Sequence, residues 1–509
     1  MGESLILVDQ NDQATGTDDK LSVHRQGLLH RAFSIFIFDR LGRLMLQRRA
    51  QGKYHSAGLW TNTCCGHPRP GEATGDAAIR RLDEEMGFTC PLQQITTLTY
   101  RTEVPDGLIE HEFNHVYIGG FDDAPLVNPN EAAQWCWIEL PVLEQWLMAE
   151  PQGFTAWFKI ILADPASRLD QWSAQAWRLQ DALRFQNESL RLVSRTFALT
   201  IPQLPTELHS AVANAYLLCR IADTIEDEPG LTLAQKQHYQ RVYLEAVTGT
   251  ANAEHLSDEL SKHLTAQTLA AERELIRHMP RVLTVNRTLK PAQRSVIIDC
   301  LAVMTCGMAE FQGKVSARGL ASRQELDRYC YCVAGVVGEM LTELFIDYEP
   351  ELAAQRETLR SLAVSFGTGL QLTNILKDQE VDHIRGVCWL PQDPFAEHGT
   401  SSPTIEELIG TAHSHLQRAL QYALLIPAKH AGIRRFLLWA TGLALLTLRQ
   451  ARGKSGTTLK VSHAQLRWVM RLTQLSQRSD RGLRLLYRIA SYNLPLTALG
   501  PEWQIPPAP

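Results

Sequence analysis

The 509-residue chain lacks several features that would place it in a class at once. None of its ten cysteines forms a CxxC pair and most lie in apolar stretches, which is typical of a protein in a reducing cytoplasm rather than of a disulfide framework. Basic residues are not in excess, since 50 Lys and Arg stand against 55 Asp and Glu. The net charge of −5 therefore gives no reason to expect nucleic acid as a partner.

Long apolar runs are missing as well. The longest covers residues 436–448, and its 13 residues are too few to span a bilayer but typical of a buried core helix. The first residues carry no basic segment followed by an apolar core, so no secretory signal peptide is expected. We therefore predict a cytoplasmic, soluble protein. This prediction leaves open a peripheral contact with a membrane, and the sequence does not indicate an oligomeric state.

The pattern of secondary structure changes once along the chain, and the change predicts a multidomain protein. Before residue 165 short β-rich runs alternate with turns, and one helix is predicted over 75–87. Beyond residue 175 long amphipathic stretches follow one another without strand signals. We expect an α+β domain over 1–168 and an all-α domain over 175–509. The predicted strands are 32–38, 43–49, 95–104 and 112–121, and the predicted helices include 181–200, 208–227, 326–347, 357–382, 405–425 and 433–451.

The first domain carries imidazole and carboxylate groups in a pattern that suits a metal ion. Glu110 and Glu112 are separated by one residue, so on a strand both side chains point to the same side. Together with three histidines they form a mixed set suited to one divalent transition metal, Zn²⁺ or Mn²⁺. The predicted ligands are His24, His30, His67, Glu110 and Glu112.

Residues 66–87 resemble the Nudix box, a loop–helix–loop that gathers glutamates around a metal-bound diphosphate. Arg81 stands where the hydrolases of that family carry a glutamate. The loss of a carboxylate and the gain of a cation favour holding a diphosphate over hydrolysing it. A Nudix hydrolase is therefore the weaker alternative for this domain.

Taken with the segments 20–34, 60–68 and 107–113, the box is similar to type I isopentenyl-diphosphate isomerase over essentially all of residues 1–165. The resemblance implies that a double bond moves through protonation of one carbon and deprotonation of another, by an acid and a base on opposite faces of the substrate. It implies that Cys65 and Glu112 are this pair, that Tyr100 assists Glu112, and that Trp157 holds its ring against the developing cation. It also implies diphosphate binding by Lys20, Arg49, Lys53 and Arg81, and a second ion, Mg²⁺, held by Glu85.

The second domain carries two acidic clusters in a helical context. Carboxylates at spacings of three and four residues share one helix face. Two such faces, if opposed, would form an oxygen-rich site for several Mg²⁺ ions, and those ions would hold a diphosphate. The first stripe is Tyr216, Arg220, Asp223 and Asp227, with Glu226 beside it, and the second is Gln371, Asn374, Asp378 and Asp382. Apolar neighbours place both stripes at the border of a hydrophobic interior.

With residues 187–198 and 329–340, these clusters resemble the squalene/phytoene synthase family over about 180–455. The resemblance implies that Ser194 and Arg195 lie on the phosphate side and that Tyr329 takes part in the proton and cation steps. It implies substrate binding by Tyr216, Arg220, Gln371 and Asn374, and a narrow tunnel beside the small residues Ala334, Gly335 and Gly338.

The family's chemistry implies head-to-head condensation of two prenyl diphosphates in two Mg²⁺-assisted ionisations, through a cyclopropylcarbinyl diphosphate. We favour two farnesyl diphosphates and squalene, with NADPH as reductant. A carotenoid-type synthase that makes dehydrosqualene or phytoene without nicotinamide is the alternative. A further alternative is that one domain is a non-catalytic binding module, although Cys65, Glu112 and all four synthase aspartates are present. The leading interpretation is a bifunctional enzyme of isoprenoid biosynthesis.

Overall fold

A computed structural model describes residues 3–194, 196–314, 319–384, 386–391, 404–453 and 461–499. The chain forms two compact units, Met1–Arg184 and Phe185–Pro509. The first unit combines a sheet with short helices, and within the described residues the regular structure of the second is helical. The multidomain arrangement predicted from the sequence, α+β followed by all-α, is thereby confirmed.

The first unit is built on a mixed sheet of nine strands. The strands are β1 (Ser4–Val8), β2 (Ala14–Asp19), β3 (His30–Phe38), β4 (Leu44–Arg49), β5 (Trp60–Thr61), β6 (Cys64–Gly66), β7 (Gln93–Val104), β8 (Leu108–Gly120) and β9 (Ala132–Ile138). Strand β3 lies at the centre, since it pairs in parallel with β8 and antiparallel with β1, β4 and β6. The register of β3 on β8 sets His30 opposite Glu112.

Five helices cover this sheet. They are α1 (Lys20–Gln26), α2 (Thr74–Met86), α3 (Leu140–Ala149), α4 (Ala156–Ala163) and α5 (Leu169–Ala176). Side chains of β3 alternate between two cores: Phe36 belongs to the core shared with α4 and α5, and Ile35 to the core shared with α2. The predicted helix over 75–87 corresponds to α2, which ends where Gly87 adopts a left-handed φ of 72°.

The first compact unit extends past residue 168. Trp172 and Ala176 of α5 are buried in its core. Beyond α5, the Arg40 guanidinium lies 3.7 Å from the Trp177 ring centre and pairs with Asp181 at 2.8 Å. These contacts hold residues 169–184 to the first unit. The domain limits 1–168 and 175–509 stay predictions for the two catalytic domains.

The second unit is a bundle of helices. They are α6 (Arg178–Val193), which begins before the unit boundary, α7 (Phe197–Thr200), α8 (Thr206–Asp227), α9 (Leu233–Thr248), α10 (Ala253–His263), α11 (Ala270–Arg277), α12 (Met279–Thr288), α13 (Pro291–Gln312), α14 (Arg323–Cys330), α15 (Val336–Tyr348), α16 (Arg356–Ile384), α17 (Ile405–Leu425), α18 (Ala431–Gly453), α19 (His463–Ser476) and α20 (Asp480–Ala490). The helix predicted over 326–347 is interrupted by a wider π-helical turn at Tyr331–Gly335.

Three helical segments are long and apolar enough to cross a membrane, among the described residues: Pro291–Gln312, Arg323–Tyr348 and Ala431–Arg452. Between 44% and 78% of their most apolar windows is buried inside the protein. Residues 436–448, predicted to form a buried core helix, lie in α18, where Phe436, Leu445 and Leu448 are fully buried.

Helix α16 crosses α15 and the π-helical turn before it at glycines. A Cβ on Gly367 would stand 1.9 Å from the carbonyl oxygen of Ala334, and one on Gly338 would stand 2.1 Å from that of Ala363. Real Cβ atoms do not come so close to backbone, so these positions accept no side chain unless the helices move. Ala334 and Gly338 lie at these close contacts, and the narrow tunnel that the resemblance implies beside them stays a prediction.

We expect Gly367→Ala to lower the free energy of unfolding by roughly 1–3 kcal/mol, because the new methyl group must push α16 away from the backbone of Ala334. Urea unfolding followed by far-ultraviolet circular dichroism measures the change. Gly313→Ala is the matched control, since its Cβ would meet only Leu233 Cδ2 at 3.9 Å. Equal stability of the two variants would contradict the close crossing.

Candidate active sites

A cavity of about 150 Å³ in the first unit collects most of the residues predicted for isomerase chemistry. The sequence-predicted residues that line it are Lys20, Arg49, Lys53, Cys65, His67, Arg81, Glu85, Tyr100, Glu110, Glu112 and Trp157. They come from α1, α2, α4, four strands and the loops after β4 and β6, so the fold of the whole unit is needed to assemble them. His24 and His30 do not line the cavity but lie against His67 and Glu110.

Four of the five predicted metal ligands form a buried cluster. One ligand atom from each of His24, His30, His67 and Glu110 lies within 4.8 Å of all the others. The Nδ1 atom of His24 is 2.6 Å from the Lys20 carbonyl oxygen, and that of His30 is 2.9 Å from the Leu28 carbonyl oxygen. A nitrogen that donates to a carbonyl carries the proton, so each ring keeps the lone pair on Nε2.

These lone pairs suit a metal ion. Among the described residues, the Nε2 atom of His30 is buried without a hydrogen-bond partner, while those of His24 and His67 lie 3.2 Å from Glu110 Oε2 and 3.4 Å from Glu112 Oε1. Burial and the neighbouring His67 lower the pKa of His30 to about 3, so that ring is neutral, which is the form that binds metal. Three imidazoles, which bind metal in their neutral form, and a carboxylate match the ligands of Zn²⁺ or Mn²⁺.

Glu112 lies at the edge of this cluster and has its own partners. Its Oε2 accepts hydrogen bonds from the Tyr100 hydroxyl at 2.5 Å and from Asn114 Nδ2 at 2.8 Å. Its Oε1 lies 3.4 Å from His67 Nε2. Tyr100 stays protonated, since burial and the Glu112 charge raise its pKa well above the usual value. The two neighbours therefore fix one carboxylate oxygen and leave the other toward His67.

Cys65 faces the cavity from β6, while its neighbour Cys64 faces the core beneath α2. Successive residues of a strand point to opposite sides, which explains the division. Burial raises the pKa of the Cys65 thiol to about 12, with Glu85 and Glu112 adding to the effect and Arg49 opposing it. The group is therefore a protonated thiol, which is the form that can donate a proton.

Three of the four predicted diphosphate-binding cations already carry carboxylate partners, and the fourth, Arg49, donates to the His55 carbonyl oxygen at 3.3 Å. Lys20 Nζ lies 2.7 Å from Glu3, and Lys53 forms an ion pair with Glu131. Arg81 pairs with Glu85, one turn along α2, and reaches Glu131 at 3.2 Å. The predictions missed Glu131 because it lies in the turn just before β9 and only the tertiary fold brings it to this cavity.

His55 is a second residue that the predictions missed. Its Nε2 lies 3.0 Å from Glu110 Oε1, and its ring meets the Trp157 ring edge to face at 5.7 Å. The imidazole is 4% exposed, and burial lowers its pKa despite the bond to Glu110. The only signal in the sequence is a histidine beside Tyr54, which indicates no role by itself.

The second unit contains two cavities that share Arg220. One, of about 180 Å³, has an apolar wall and a polar end, and the other, of about 570 Å³, is acidic. The predicted residues at the polar end of the first are Tyr216, Arg220, Asp223, Gln371 and Asn374. Those that line the second are Arg220, Glu226, Asp227 and Asp382. Both predicted stripes, from α8 and α16, thus face shared space.

The carboxylates of α8 lie close enough together for their charges to repel one another, and bound cations would offset this repulsion. Burial raises the pKa of Asp223 to about 6, and Asp227 and Glu272 add to this while Arg220 opposes it. Burial, Asp227 and Asp223 likewise raise the pKa of Glu226 well above its usual value. Arg220 Nη1 lies 3.7 Å from Asp223 and 3.8 Å from Glu272. Hard oxygen ligands gathered on one turn of a helix fit Mg²⁺.

The predicted residues Asp378 and Ser194 of the second unit line neither of these two cavities within the described part of the chain. Asp378, one turn before Asp382, pairs with Lys377 at 3.0 Å and its side chain is 43% exposed. The Ser194 hydroxyl oxygen accepts a hydrogen bond at 2.9 Å from the N–H of Phe197, the first residue of α7. Arg195 lies outside the described residues. 

Tyr329 is buried and stacks on Trp389, which also lines the acidic cavity, with ring centres 3.8 Å apart. Burial, with the Glu226 and Asp227 charges, raises the pKa of Tyr329 well above its usual value, so its hydroxyl stays protonated. Trp389 was not predicted, because nothing in the local sequence indicates which ring it meets.

Comparison with known proteins gives each unit a set of relatives. Residues 190–472 match the family model for squalene/phytoene synthase, and residues 28–158 match that for the NUDIX domain. The chain is similar to the isopentenyl-diphosphate delta-isomerase of Serratia proteamaculans, 55% identical over 177 residues, which are 35% of this chain and 99% of that one. The enzyme of the same name from Burkholderia multivorans is 54% identical over 162 residues, 32% of this chain and 92% of that one.

Among solved structures, the complex of TcSQS with the ligand BPH1237 is similar to the second unit. It is 21% identical in sequence with a TM-score of 0.50, and the match covers 61% of this chain and 91% of that one. At this identity the likeness bears on the fold alone.

Proposed function

Because this chain belongs to the squalene/phytoene synthase family and carries an isopentenyl-diphosphate delta-isomerase domain before it, we propose that it is a bifunctional enzyme with two independent active sites. One site isomerises isopentenyl diphosphate to dimethylallyl diphosphate. The other condenses two farnesyl diphosphates head-to-head to squalene. The observation that carries the proposal is that each unit gathers its own acidic and basic groups around its own cavity.

In the isomerase unit, we assign proton donation to Cys65 and proton removal to Glu112. The thiol adds a proton to the terminal methylene carbon, which leaves a tertiary cation. Glu112 then takes a proton from the neighbouring methylene, and the electrons of that C–H bond form the new double bond. Tyr100 and Asn114 hold the carboxylate, while Trp157 lines the cavity where the cation would form.

The metal cluster and the cations hold the substrate's charge. His24, His30, His67 and Glu110 would hold Zn²⁺ or Mn²⁺, which when bound supplies fixed positive charge beside the carboxylates of the cavity. Lys20, Arg49, Lys53 and Arg81 would bind the diphosphate, and Glu85 would hold a Mg²⁺ ion beside it. Glu3 and Glu131 keep Lys20 and Lys53 in place before substrate arrives.

We expect His55→Phe to weaken binding of Zn²⁺ at the histidine cluster by about 10–100-fold. The phenyl ring keeps the contact with Trp157 but loses the hydrogen bond that orients Glu110. Chelator competition on the metal-free protein measures the affinity.

His115→Phe is the control for this change, because His115 is also a buried histidine of the first unit but pairs with Asp12 at 3.1 Å. Unchanged Zn²⁺ affinity in His55→Phe would rule out the orienting role. Equal weakening in both variants would point to general damage to the sheet.

In the synthase unit, the acidic cavity would hold the diphosphates and the apolar one the chains. Asp223, Glu226, Asp227, Asp378 and Asp382 would hold Mg²⁺, which supplies the charge that stabilises a departing diphosphate. Arg220, Tyr216, Gln371 and Asn374 would position the substrate at the junction of the two cavities. Tyr329, stacked on Trp389, would shield the cation from water and act in the proton steps.

Product analysis tests the synthase proposal. The purified protein is incubated with farnesyl diphosphate and Mg²⁺, with and without NADPH, and the hydrocarbon extract is identified by mass spectrometry. Squalene that appears only with NADPH supports the proposal. Dehydrosqualene in both conditions, or phytoene from geranylgeranyl diphosphate, would replace it with the carotenoid-type alternative. If neither substrate gives a product, the alternative of a non-catalytic binding module would replace the proposal for this unit.

A further inference from the structure

Helices α19 and α20 are apolar on two sides. Their inner side packs in the unit: Val469 and Leu483 are buried, and Val469 Cγ1 would lie 2.8 Å from a Cβ on Gly442 of α18. Their outer side and the segment that follows α20 carry a second set of large apolar side chains that the fold leaves uncovered. These are Trp468 (38% exposed), Leu475 (82%), Leu485 (59%), Ile489 (46%), Tyr492 (67%) and Leu496 (58%).

The same outer side is strongly basic. Six arginines lie between residues 461 and 499, and all are exposed: Arg467, Arg471, Arg478, Arg481, Arg484 and Arg488. Asp480 is the only acidic residue of this stretch of sequence, and it accepts a hydrogen bond from Arg434 at 2.8 Å. The surface is therefore positive on a chain whose net charge is −5.

Basic and apolar side chains alternate along each helix. Residues three or four apart share a helix face, so Trp468, Arg471 and Leu475 lie on one face of α19. On α20, Arg481 and Leu485 share a face by the same spacing. Interleaving of this kind is what an amphipathic helix presents to the headgroup region of a membrane, where apolar side chains enter the acyl boundary and guanidinium groups meet phosphates.

We propose that this surface, formed by residues 463–496 of α19, α20 and the segment after it, docks on an anionic phospholipid bilayer. Charge complementarity favours anionic lipid over neutral lipid, and the exposed apolar side chains distinguish the surface from a purely electrostatic patch. The helices lie flat in the interface rather than span it, because their inner faces stay packed on α18.

Docking at this surface would give the product of the proposed synthase reaction a route into lipid. Only this link to the product rests on the proposed function. Helix α18 contributes Phe436 to the apolar cavity of the synthase unit. Leu438 and Gly442 of the same helix line a small cavity that α19 and α20 also line. The surface is therefore one helix away from the cavity in which a C30 hydrocarbon would form. Such a product is insoluble in water and must pass into lipid.

Vesicle sedimentation of the full chain tests the proposal. The vesicles contain phosphatidylcholine alone or with phosphatidylglycerol as the anionic lipid, at low and at high salt. We expect binding to anionic vesicles that weakens with salt, and much weaker binding to neutral ones. Arg481→Glu/Arg484→Glu/Arg488→Glu should weaken binding by about 100-fold or more, because each basic residue near an anionic surface contributes about fivefold.

Two further variants make the result specific. Arg191→Glu/Arg241→Glu/Arg287→Glu changes the charge equally at exposed arginines on other helices of the same unit, and it should bind as the unaltered chain does. Leu485→Ser/Ile489→Ser should also weaken binding, but at every salt concentration. Far-ultraviolet circular dichroism confirms that each variant is folded.

Three results would overturn the proposal. They are no binding to anionic vesicles, equal loss in both arginine triples, and a dimer in solution that the α20 variants convert to a monomer. The last result would make the surface an interface between copies of this chain. Because sedimentation needs no turnover, an inactive synthase unit that still binds vesicles would contradict the proposed function and leave this inference standing.

Discussion

Cys65→Ala is expected to reduce isomerisation of isopentenyl diphosphate by roughly 10³-fold, in the range found for loss of a general acid. The thiol lines the cavity with Glu112, and its raised pKa keeps it protonated. Alanine fits the same strand position and leaves the metal cluster intact. Deuterium incorporation from heavy water into dimethylallyl diphosphate measures the rate.

Cys64→Ala is the matched control for this variant. Cys64 adjoins Cys65 in sequence but is fully buried in the core beneath α2. We expect it to lower stability and leave the rate of isomerisation nearly unchanged. If Cys65→Ala kept more than a tenth of the activity, or if both variants lost it equally, Cys65 would not be the proton donor.

Asp223→Asn is expected to reduce condensation of farnesyl diphosphate by roughly 10²–10³-fold, the range for loss of one group that stabilises developing charge. The side chain lies at the polar end of the apolar cavity, 3.7 Å from Arg220. An amide keeps the shape but removes a charge that would hold Mg²⁺. Hydrocarbon formation at saturating Mg²⁺ measures the effect, and the rate of isomerisation should stay unchanged.

Glu228→Gln is the control for the second variant. Glu228 follows α8 directly, yet it accepts hydrogen bonds from Gly230, Thr265 and Thr268 and does not line either cavity. We expect a loss of stability with condensation retained. Loss of both reactions in folded Asp223→Asn protein would contradict the independence of the two sites.

The sequence predicts most of the residues that converge on each cavity, because the residue types and their spacing are local properties. Glu110 and Glu112 point the same way on any strand, and Asp223 and Asp227 share a face of any helix. The pairing of β3 with β8, which sets His30 opposite Glu112, is consistent with the metal site that those residue types predict.

The residues that sequence reasoning missed are defined by contacts across the fold. His55 was missed because its role comes from the contact of its Nε2 with Glu110. Trp389 was missed because its role comes from the stacking of its ring on Tyr329. The π-helical turn at Tyr331–Gly335 lies where Gly367 of α16 approaches the backbone of Ala334, a contact that periodicity in either segment does not contain. Likewise, the amphipathic pattern of α5 does not indicate which unit its apolar face joins.

One product analysis tests whether two independent reactions occur on this one chain. A single purified preparation is incubated in heavy water with isopentenyl diphosphate, farnesyl diphosphate, Mg²⁺, Zn²⁺ and NADPH, and the products are identified by mass spectrometry. From two independent sites we expect dimethylallyl diphosphate that carries deuterium together with squalene, each formed at the same rate when the other substrate is left out. Release of phosphate from isopentenyl diphosphate without isomerisation, or the absence of either product, would contradict it.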